Sequence, residues 1–489
     1  MMFAEFCRSA LVAGCLALST ALAACSTNPA TGQQMFSLMS PSDETRIGQQ
    51  EHPKVLNEFG VYDEMPQLNA YVGQLGGRLH SASELSQQPF TFTLLDSDMV
   101  NAFAIPGGYV YVARGLMALA NSEAELAGVV GHEIGHVTAR HSAQRATQQT
   151  LAGLGMVALG AVLQDPALTN MAGLGAMAWV QGYSREHEME ADQLGIRYMS
   201  RAGYDPMAMS TFLSSLGAES ELQRTLLFQD GEAQFDWFST HPRTPDRVAA
   251  TAQSARGSSG ANWVAGRDEY LNRLDGMIYG DSPEQGFVRG RTFVHPILRI
   301  GFVVPEGFRM LNSPDSVLAL NKDGAFVRFD GAQAPAGQTM AAYLVQTWAK
   351  GRQLNDIEQF DMDGLEAATG WLQVQGDRGP IDVHLVALRW DPKTVYRFMI
   401  VTPAQVSQAL NEPMRRMLGS FHQLSAAEAA ALKPLRLRVV EVAPGDTIDS
   451  LSARMAFDDY RRERFMVLNG ITSGNQLQPG MLVKIVTEG

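Results

Sequence analysis

The stretch His132-Glu133-Ile134-Gly135-His136 decides how this chain of 489 residues is interpreted. On a helix, residues four apart lie on one face, so the two histidines stand one turn apart with Glu133 between them. Two imidazole nitrogens at this spacing can bind one zinc ion, and the neighbouring carboxylate can take a proton from a zinc-bound water. The stretch therefore predicts a hydrolytic zinc site in which His132 and His136 are ligands and Glu133 is the general base. The alternative is a surface helix with two incidental histidines.

A helix is expected here because both its start and its packing face are visible in the sequence. Ser122 and Glu125 match the S-x-x-E capping box. The apolar residues that follow recur every three or four positions and form one stripe: Leu126, Val130, Ile134 and Val137. Gly131 and Gly135 each cost about 1 kcal/mol in a helix relative to alanine. We therefore expect another element to pack closely against the glycine side.

A third zinc ligand is expected on a second helix that starts near Ser184. A catalytic zinc ion needs three protein ligands and one open position for water. Glu188 and Asp192 are four residues apart and share a face, so one carboxylate can bind the metal while the other accepts a hydrogen bond from a ligand imidazole. A solvated acidic helix face is the alternative, and Glu186 and His187 are rival ligands on spacing alone.

Four separated motifs resemble those of M48-type peptidases, in the same order and over about residues 35–275. They are N-A-F-A-I-P-G-G at 101–108, Y-V-Y-V at 109–112, the His132–His136 helix, and Glu188-x-x-x-Asp192. The resemblance implies a mainly helical gluzincin peptidase domain with a small edge-strand sheet. It also implies that His132, His136 and Glu188 bind one Zn²⁺ ion, that Glu133 is the general base and that Asp192 supports a ligand from behind.

The same resemblance gives roles to three further features. Residues 101–112 would be an edge strand along which an extended substrate pairs its backbone, with a plain core strand as the alternative. A later His-Pro, with Arg six residues after the His, is matched by His241 and Arg247. His241 would approach the metal and occlude its open position as a latent switch, and Arg247 would stabilise the developing oxyanion. A loop histidine that caps a helix is the alternative for His241. His141 matches no motif and is predicted to be an ordinary histidine.

The N-terminus predicts a lipoprotein. Residues 1–24 contain a short apolar run that ends in Leu22-Ala23-Ala24-Cys25, which resembles a bacterial lipobox. Cleavage before Cys25 would leave an acylated cysteine, followed by a lipidated tether over residues 25–40. Because Ser26 follows, the expected place is the outer membrane of a diderm bacterium, facing the periplasm. Ordinary secretion with cleavage elsewhere is the alternative. The other two cysteines lie at positions 7 and 15, so the mature chain would contain no other thiol.

Composition excludes some functions and suggests several domains. A net charge of −13 and the absence of a basic stripe argue against nucleic-acid binding. The apolar segment 151–183 is interrupted by Q-D-P at 164–166, and its pieces are too short to span a membrane. They are expected to form a lid over the cleft or part of the core. Gly/Ser-rich residues 254–262 and residues 281–290 are predicted linkers, so the peptidase domain is placed at 41–280.

Two smaller domains are predicted after the peptidase domain. Residues 291–425 read as an α+β sandwich domain with a mainly antiparallel sheet, faintly resembling the PsbP/Mog1-like fold, and carry no catalytic constellation. An Ala-rich linker at 426–433 precedes a small β-α-α-β unit at 436–487. Its P-G-D-T, L-N-G and L-Q-P-G motifs resemble a LysM domain, which implies binding of the peptidoglycan glycan backbone. Residues 456–459 replace the glycine-containing turn of that family, so a module that contacts protein is the alternative.

The sequence therefore predicts an α+β multidomain zinc endopeptidase, anchored in the outer membrane and tethered to the cell wall. By resemblance, its substrates would be unfolded or misassembled envelope proteins. A wall-binding lipoprotein or chaperone with a latent or inactive peptidase site is the second hypothesis. A hydrolase of the cell wall is the third.

Overall fold

The computed structural model describes residues 25–150, 182–227, 241, 245–258, 260, 262–335, 337–376, 379–472 and 477–489. The predicted signal peptide and nearly all of the apolar segment 151–183 lie outside the described residues. Within the described part, no helix combines the length and apolarity needed to cross a membrane. The chain is a mixed helix-and-sheet, multidomain protein, as predicted.

Helices dominate the first half of the chain. The labelled helices are α1 (Pro41–Phe59), α2 (Pro66–Ser81), α3 (Arg114–Leu119), α4 (Glu123–Thr138), α5 (Arg185–Arg201), α6 (Met207–Leu227), α7 (Pro245–Gly257), α8 (Arg267–Leu274), α9 (Met340–Ala342, continued by a π-helix at Tyr343–Trp348), α10 (Ala404–Gly419), α11 (Ala426–Ala431), α12 (Ile448–Ser452) and α13 (Arg461–Leu468). Residues 141–150 are also helical.

Strands dominate the second half. They are β1 (Cys25–Thr27), β2 (Gln34–Phe36), β3 (Thr91–Leu95), β4 (Ala102–Ile105), β5 (Tyr109–Ala113), β6 (Ile278–Tyr279), β7 (Phe287–Arg289), β8 (Thr292–His295), β9 (Ile300–Val303), β10 (Phe308–Ser313), β11 (Ser316–Asn321), β12 (Phe326–Gln333), β13 (Asn355–Met362), β14 (Leu365–Gly376), β15 (Gly379–Arg389), β16 (Thr394–Pro403), β17 (His422–Gln423), β18 (Leu435–Glu441) and β19 (Leu482–Glu488).

Close packing of α4 against α5 confirms the expectation raised by the glycines. A Cβ on Gly131 would lie 3.2 Å from the Gly195 carbonyl oxygen, and one on Gly135 would lie 3.1 Å from the Ala191 carbonyl oxygen. A Cβ on Gly195 would meet the His132 backbone nitrogen at 2.9 Å. Glycine is therefore required on both helices, because a side chain would push apart the two backbones that carry the predicted ligands.

The small sheet of the peptidase domain has the order β3-β5-β4. β3 and β5 are parallel, whereas β4 runs antiparallel to β5. The predicted edge strand at 101–112 is therefore two strands, of which β4 lies at the edge and β5 lies in the centre. The error arose because the turn at Gly107 and Gly108, both at positive φ, reverses the chain inside the predicted strand.

The middle domain is the predicted α+β domain with an antiparallel sheet. Seven strands lie in the order β10-β11-β12-β16-β15-β14-β13, and a second sheet has the order β17-β9-β8-β7. The two sheets pack through aromatic residues, since the ring of Phe302 lies 4.9 Å from that of Phe329. β13 is exposed along almost its whole length, so it lacks the apolar alternation that marks a strand.

The C-terminal unit has the predicted β-α-α-β order, from β18 through α12 and α13 to β19. The unit is not connected to the rest of the chain through a flexible linker. Residues 426–431 form helix α11 with a capping box, and β18 pairs with both β19 and β6 in one sheet. The apolar residues of the unit belong to the same core as the peptidase helices, among them Leu437, Phe465 and Ile485. The unit is therefore packed into the peptidase domain, and its likeness to LysM stays a prediction.

Lys484 of β19 shows how deep this packing is. Its ammonium group is fully buried and donates to the backbone carbonyl oxygens of Ala118, Leu119 and Ala120 at 2.6, 3.2 and 2.8 Å. These carbonyls are at the C-terminal end of α3, where a helix favours a cation. Ser122, which caps α4, comes two residues later. The C-terminal unit therefore holds the chain at the point where the predicted metal-binding helix begins.

Candidate metal centre

Helix α4 begins at the predicted cap and is buried almost throughout. The Ser122 side chain accepts a hydrogen bond from the Glu125 backbone N–H at 3.1 Å. The second half of the predicted capping box is shifted by one residue, because the Glu125 carboxylate accepts from the Asn121 N–H at 2.7 Å. His132, Glu133 and His136 are all buried, which excludes the surface-helix alternative.

Four side chains converge on one point: His132, His136, Glu188 and His241. His132 Nε2 lies 3.0 Å from His136 Nε2, and His136 Nε2 lies 3.3 Å from Glu188 Oε1. His241 Nδ1 lies 3.3 Å from His132 Nε2 and 3.0 Å from Glu188 Oε1. Four ligand atoms at zinc–ligand distances of about 2.0–2.1 Å in a tetrahedron would be about 3.3–3.4 Å apart. These four separations are close to that value, and the donor types are those of zinc sites, so the cluster can hold a zinc ion.

The protonation states of the side chains in the cluster also favour the binding of a cation. Burial holds the pKa of His136 and that of His241 below the ordinary value of 6.5, so both imidazoles are neutral near pH 7. Burial alone would raise the pKa of Glu188, but the neighbouring His241 and His136 lower it well below 4.5. Neutral imidazoles and an ionised carboxylate are the states that bind a metal ion.

Glu133 lies next to this cluster and not in it. Its Oε1 is 3.6 Å from His241 Nε2, and neither carboxylate oxygen accepts a hydrogen bond of normal geometry within the described residues. Burial, and then the charge of Glu188, raise the pKa of Glu133 well above 4.5, although Arg247 and the Ala104 backbone N–H act in the opposite direction. A buried carboxyl with a raised pKa is suited to accepting and returning a proton.

Asp192 lies behind the cluster, on the face of α5 that it shares with Glu188. Its Oδ1 is 2.9 Å from His132 Nδ1, the ring nitrogen that points away from the metal position. Such a contact fixes the tautomer of a ligand imidazole and the orientation of its ring.

Arg247 of α7 binds both carboxylates of α5. Its Nε and Nη2 donate to Asp192 at 2.8 and 2.7 Å, and its Nη1 lies 2.6 Å from Glu188 Oε2. Nη1 also donates to the His241 carbonyl oxygen at 3.4 Å. In this arrangement the guanidinium is directed at Asp192, Glu188 and the His241 backbone, which is the geometry of a positioning residue. Stabilisation of an oxyanion by Arg247 stays a prediction.

The prediction that His141 is an ordinary histidine is wrong, because it contacts the other ring nitrogen of His136. His141 Nδ1 is 2.9 Å from His136 Nδ1, and His141 Nε2 is 3.3 Å from Glu190 Oε2. Asn28 Nδ2 in turn donates to Glu190 Oε1 at 2.9 Å. If His136 binds a metal through Nε2, its Nδ1 carries the proton and His141 must accept it. A histidine five residues after His136 was the only sequence signal for this contact.

The rival ligands lie outside the cluster. Glu186 is exposed at the start of α5. His187 stacks on the His141 ring with centroids 4.3 Å apart.

Tyr183, which no sequence motif marked, stacks on the His136 ring with centroids 3.9 Å apart. Its hydroxyl shares a hydrogen bond of 2.9 Å with the Ser142 hydroxyl. Tyr183 forms an aromatic wall beside the metal position.

The sequence model of peptidase family M48 matches residues 66–255. These residues form an M48 peptidase domain. The resemblance predicted from the four motifs is thereby confirmed, and the M48 domain contains all four residues of the cluster and Glu133.

Curated relatives support the same assignment. The chain is 40% identical over 233 residues to the beta-barrel assembly-enhancing protease of Yersinia pestis, an alignment that covers 45% of this chain and 46% of that protein. It is 29% identical over 224 residues to the mitochondrial metalloendopeptidase OMA1 of Schizosaccharomyces pombe, covering 45% of this chain and 63% of that protein. The chain spans about half the length of the bacterial relatives it matches.

Among solved structures, cyanobacterial PsbP from Synechocystis aligns over 28% of this chain and 98% of its own, at 14% identity and a TM-score of 0.23. The PsbP-like fold of the middle domain stays a prediction.

Proposed function

We propose that this chain is a zinc-dependent endopeptidase of the bacterial envelope that degrades unfolded or misassembled envelope proteins. The observation that carries the proposal is the buried set of His132, His136, Glu188 and His241, with Glu133 beside it. The substrate class is supported by the names of the bacterial relatives, which are beta-barrel assembly-enhancing proteases.

Each residue of the site has its own role in the proposed peptide hydrolysis. His132, His136 and Glu188 would hold the zinc ion, which when bound acidifies the attacking water and polarises the scissile carbonyl. Glu133 takes the proton of the attacking water and passes it to the leaving amine. Asp192 orients His132, and Arg247 holds Asp192 and Glu188 in place. Burial keeps bulk water from competing for these contacts.

The edge strand β4 is the proposed substrate-binding element. Within the described residues it is an edge strand of its three-stranded sheet, and α4 packs against it. The Ala104 N–H is near enough to Glu133 to affect its pKa, so this edge runs past the general base. An extended substrate that paired with β4 would present its backbone carbonyls to the catalytic residues.

His241 gives the site a closed resting state in this proposal. A catalytic zinc site keeps one position open, whereas four protein ligands make a closed site. His241 Nδ1 lies within 3.3 Å of His132 Nε2, so it takes the fourth corner. Removal of the His241 ring would open this corner to water.

We therefore expect His241→Ala to cleave unfolded casein at least about tenfold faster than the wild type, because activity scales with the fraction of open sites. Zinc content should be unchanged, since three ligands remain. His422→Ala is the control, because His422 is exposed in the middle domain. If His241→Ala and the wild type were equally inactive with zinc bound, the second hypothesis, a chaperone or binding lipoprotein with an inactive site, would be favoured.

His141 should contribute to zinc affinity through His136. We expect His141→Ala to weaken zinc binding about 10–100-fold, which is typical for loss of a group that orients a ligand histidine. His141→Asn should recover part of the loss, since its side-chain oxygen can still accept from His136. Competition with a chromogenic chelator measures both. Unchanged affinity in His141→Ala would assign His141 a purely structural role.

The lipid anchor and the cell wall are further proposed partners. Acylation of Cys25 would place the protein at the outer membrane, facing the periplasm. Peptidoglycan would bind the LysM-like unit at 436–487, where the turn at 443–446 is exposed. Co-sedimentation with purified sacculi tests the second partner, and release of soluble muropeptides in the same assay would indicate a wall hydrolase.

A further inference from the structure

The N-terminal segment 25–40, the predicted lipidated tether, is docked on the M48 domain. β1 and β2 form a hairpin in which Cys25 pairs with Phe36. Ser26 accepts a hydrogen bond from Arg140 at 2.5 Å, and the same guanidinium donates to the Met39 carbonyl oxygen and to Glu44. Asn28 is buried, and its side-chain amide donates a hydrogen bond to Glu190. The hairpin therefore has a fixed position relative to the domain.

This position is close to the metal centre. Asn28 contacts Glu190, Glu190 contacts His141, and His141 contacts the ligand His136, through three contacts of 2.9–3.3 Å. Cys25 precedes Asn28 by three residues, so their Cα atoms lie within roughly 11 Å of each other. A lipid attached to Cys25 would thus enter the bilayer a short distance from the cluster.

Large apolar side chains are exposed beside Cys25. Phe36, directly opposite Cys25 in the hairpin, is 46% exposed, and Leu38 is 50% exposed. Met189, which precedes the Glu190 that binds Asn28, is also exposed. Isolated exposed apolar residues are common on soluble proteins. Here they adjoin the predicted site of acylation, where a bilayer would cover them.

We propose that the hairpin and Leu38 form a membrane-docking surface, with Phe36 and Leu38 seated among the lipids of the bilayer. The inference rests on the proposed lipidation of Cys25. The acyl chains supply the affinity, and the two side chains fix the orientation, because two partly exposed residues are too few to anchor a protein alone. The M48 cleft is then held at the membrane surface, where it meets polypeptide segments that are entering or failing to enter the bilayer.

The orientation can be tested on the full acylated protein, because the mature chain has no cysteine other than Cys25. An environment-sensitive dye is attached to Leu38→Cys and, as the control, to Ile297→Cys, whose parent side chain is 61% exposed in the middle domain. Both proteins are placed in phosphatidylethanolamine/phosphatidylglycerol vesicles that contain nitroxide-labelled lipid. We expect blue-shifted, quenched emission at position 38 and neither change at position 297.

Three results would overturn the proposal. They are an unquenched dye at position 38, equal quenching at both positions, and an intact mass without acylation at Cys25. Protection of the dye at position 38 without vesicles, rising with protein concentration, would assign the surface to a second copy of the chain and would also overturn it.

A second measurement separates this inference from the proposed function. Phe36→Ser/Leu38→Ser in acylated protein should lower cleavage of a vesicle-tethered peptide at least about tenfold while leaving cleavage of soluble casein unchanged. Equal cleavage of the tethered peptide by the wild type and the variant would contradict membrane docking but not the peptidase function. Absence of cleavage of both substrates, even with His241→Ala added, would contradict the peptidase function instead.

Discussion

Glu133→Gln is expected to abolish peptide hydrolysis while zinc remains bound. General-base catalysis contributes about 10²–10⁴-fold to such reactions, and glutamine cannot accept the proton. The metal should stay because His132, His136 and Glu188 are untouched, and glutamine fits the space of the buried Glu133. The measurement is casein cleavage together with elemental zinc content, made in the His241→Ala background so that a closed resting state does not hide the effect.

Two further variants complete this experiment. His136→Ala should lose both zinc and activity, because it removes one of the ligand atoms that lie 3.0–3.3 Å apart. Glu186→Gln should retain both, since Glu186 is an exposed carboxylate on α5 outside the cluster. Residual hydrolysis in Glu133→Gln at the parent rate would show that another group acts as the base, and the mechanism proposed here would be wrong.

Lys484→Met is expected to destabilise the M48 domain although Lys484 lies more than 200 residues after that domain ends. The substitution leaves the carbonyls of Ala118, Leu119 and Ala120 without their donor. An unsatisfied buried polar group costs about 1–3 kcal/mol, so a loss of about 3–5 kcal/mol in the free energy of unfolding is expected. Urea denaturation measures it, and Lys393→Met, at an exposed turn, should change stability by less than about 0.5 kcal/mol.

The destabilisation caused by Lys484→Met is expected to depend on pH. Burial lowers the pKa of Lys484 from 10.5 to about 7, against the opposing charge of Glu125. Between these values the unfolded chain binds more protons than the folded chain, so the stability contributed by Lys484 rises with pH across the window. The destabilisation by Lys484→Met should therefore be larger at about pH 9 than at about pH 6.5. A destabilisation that does not change between these two pH values would indicate that the three carbonyls hold the amine as an ammonium ion throughout.

Local patterns accounted for the elements that carry the site. Ser122 caps α4 and the second helix starts at Ser184, both as predicted, and the glycines of α4 correctly indicated a close neighbour. Helical spacing put His132 with His136, and Glu188 with Asp192, on shared faces. Such features follow from residues within a few turns of each other, so the sequence contains the information directly.

Contacts between distant segments were not predictable in the same way. His141 reaches Glu190 across 49 residues, Arg247 reaches Asp192 across 55, and Lys484 reaches Ala118 across 366. No local pattern marks such partners, because a hydrogen bond between remote segments depends on how whole helices and sheets pack. For the same reason, the sequence did not show that segment 25–40 and the C-terminal unit pack against the peptidase helices.

By itself, the sequence determined the identity of the domain and predicted its ligand residues, since a helix with ligands on one face is a matter of side-chain type and helical period. The tertiary structure alone decided that His141 stands behind His136. It also decided that both ends of the described chain pack against the M48 domain. These features depend on free energies of burial and hydrogen bonding between segments that become neighbours only when the chain is folded.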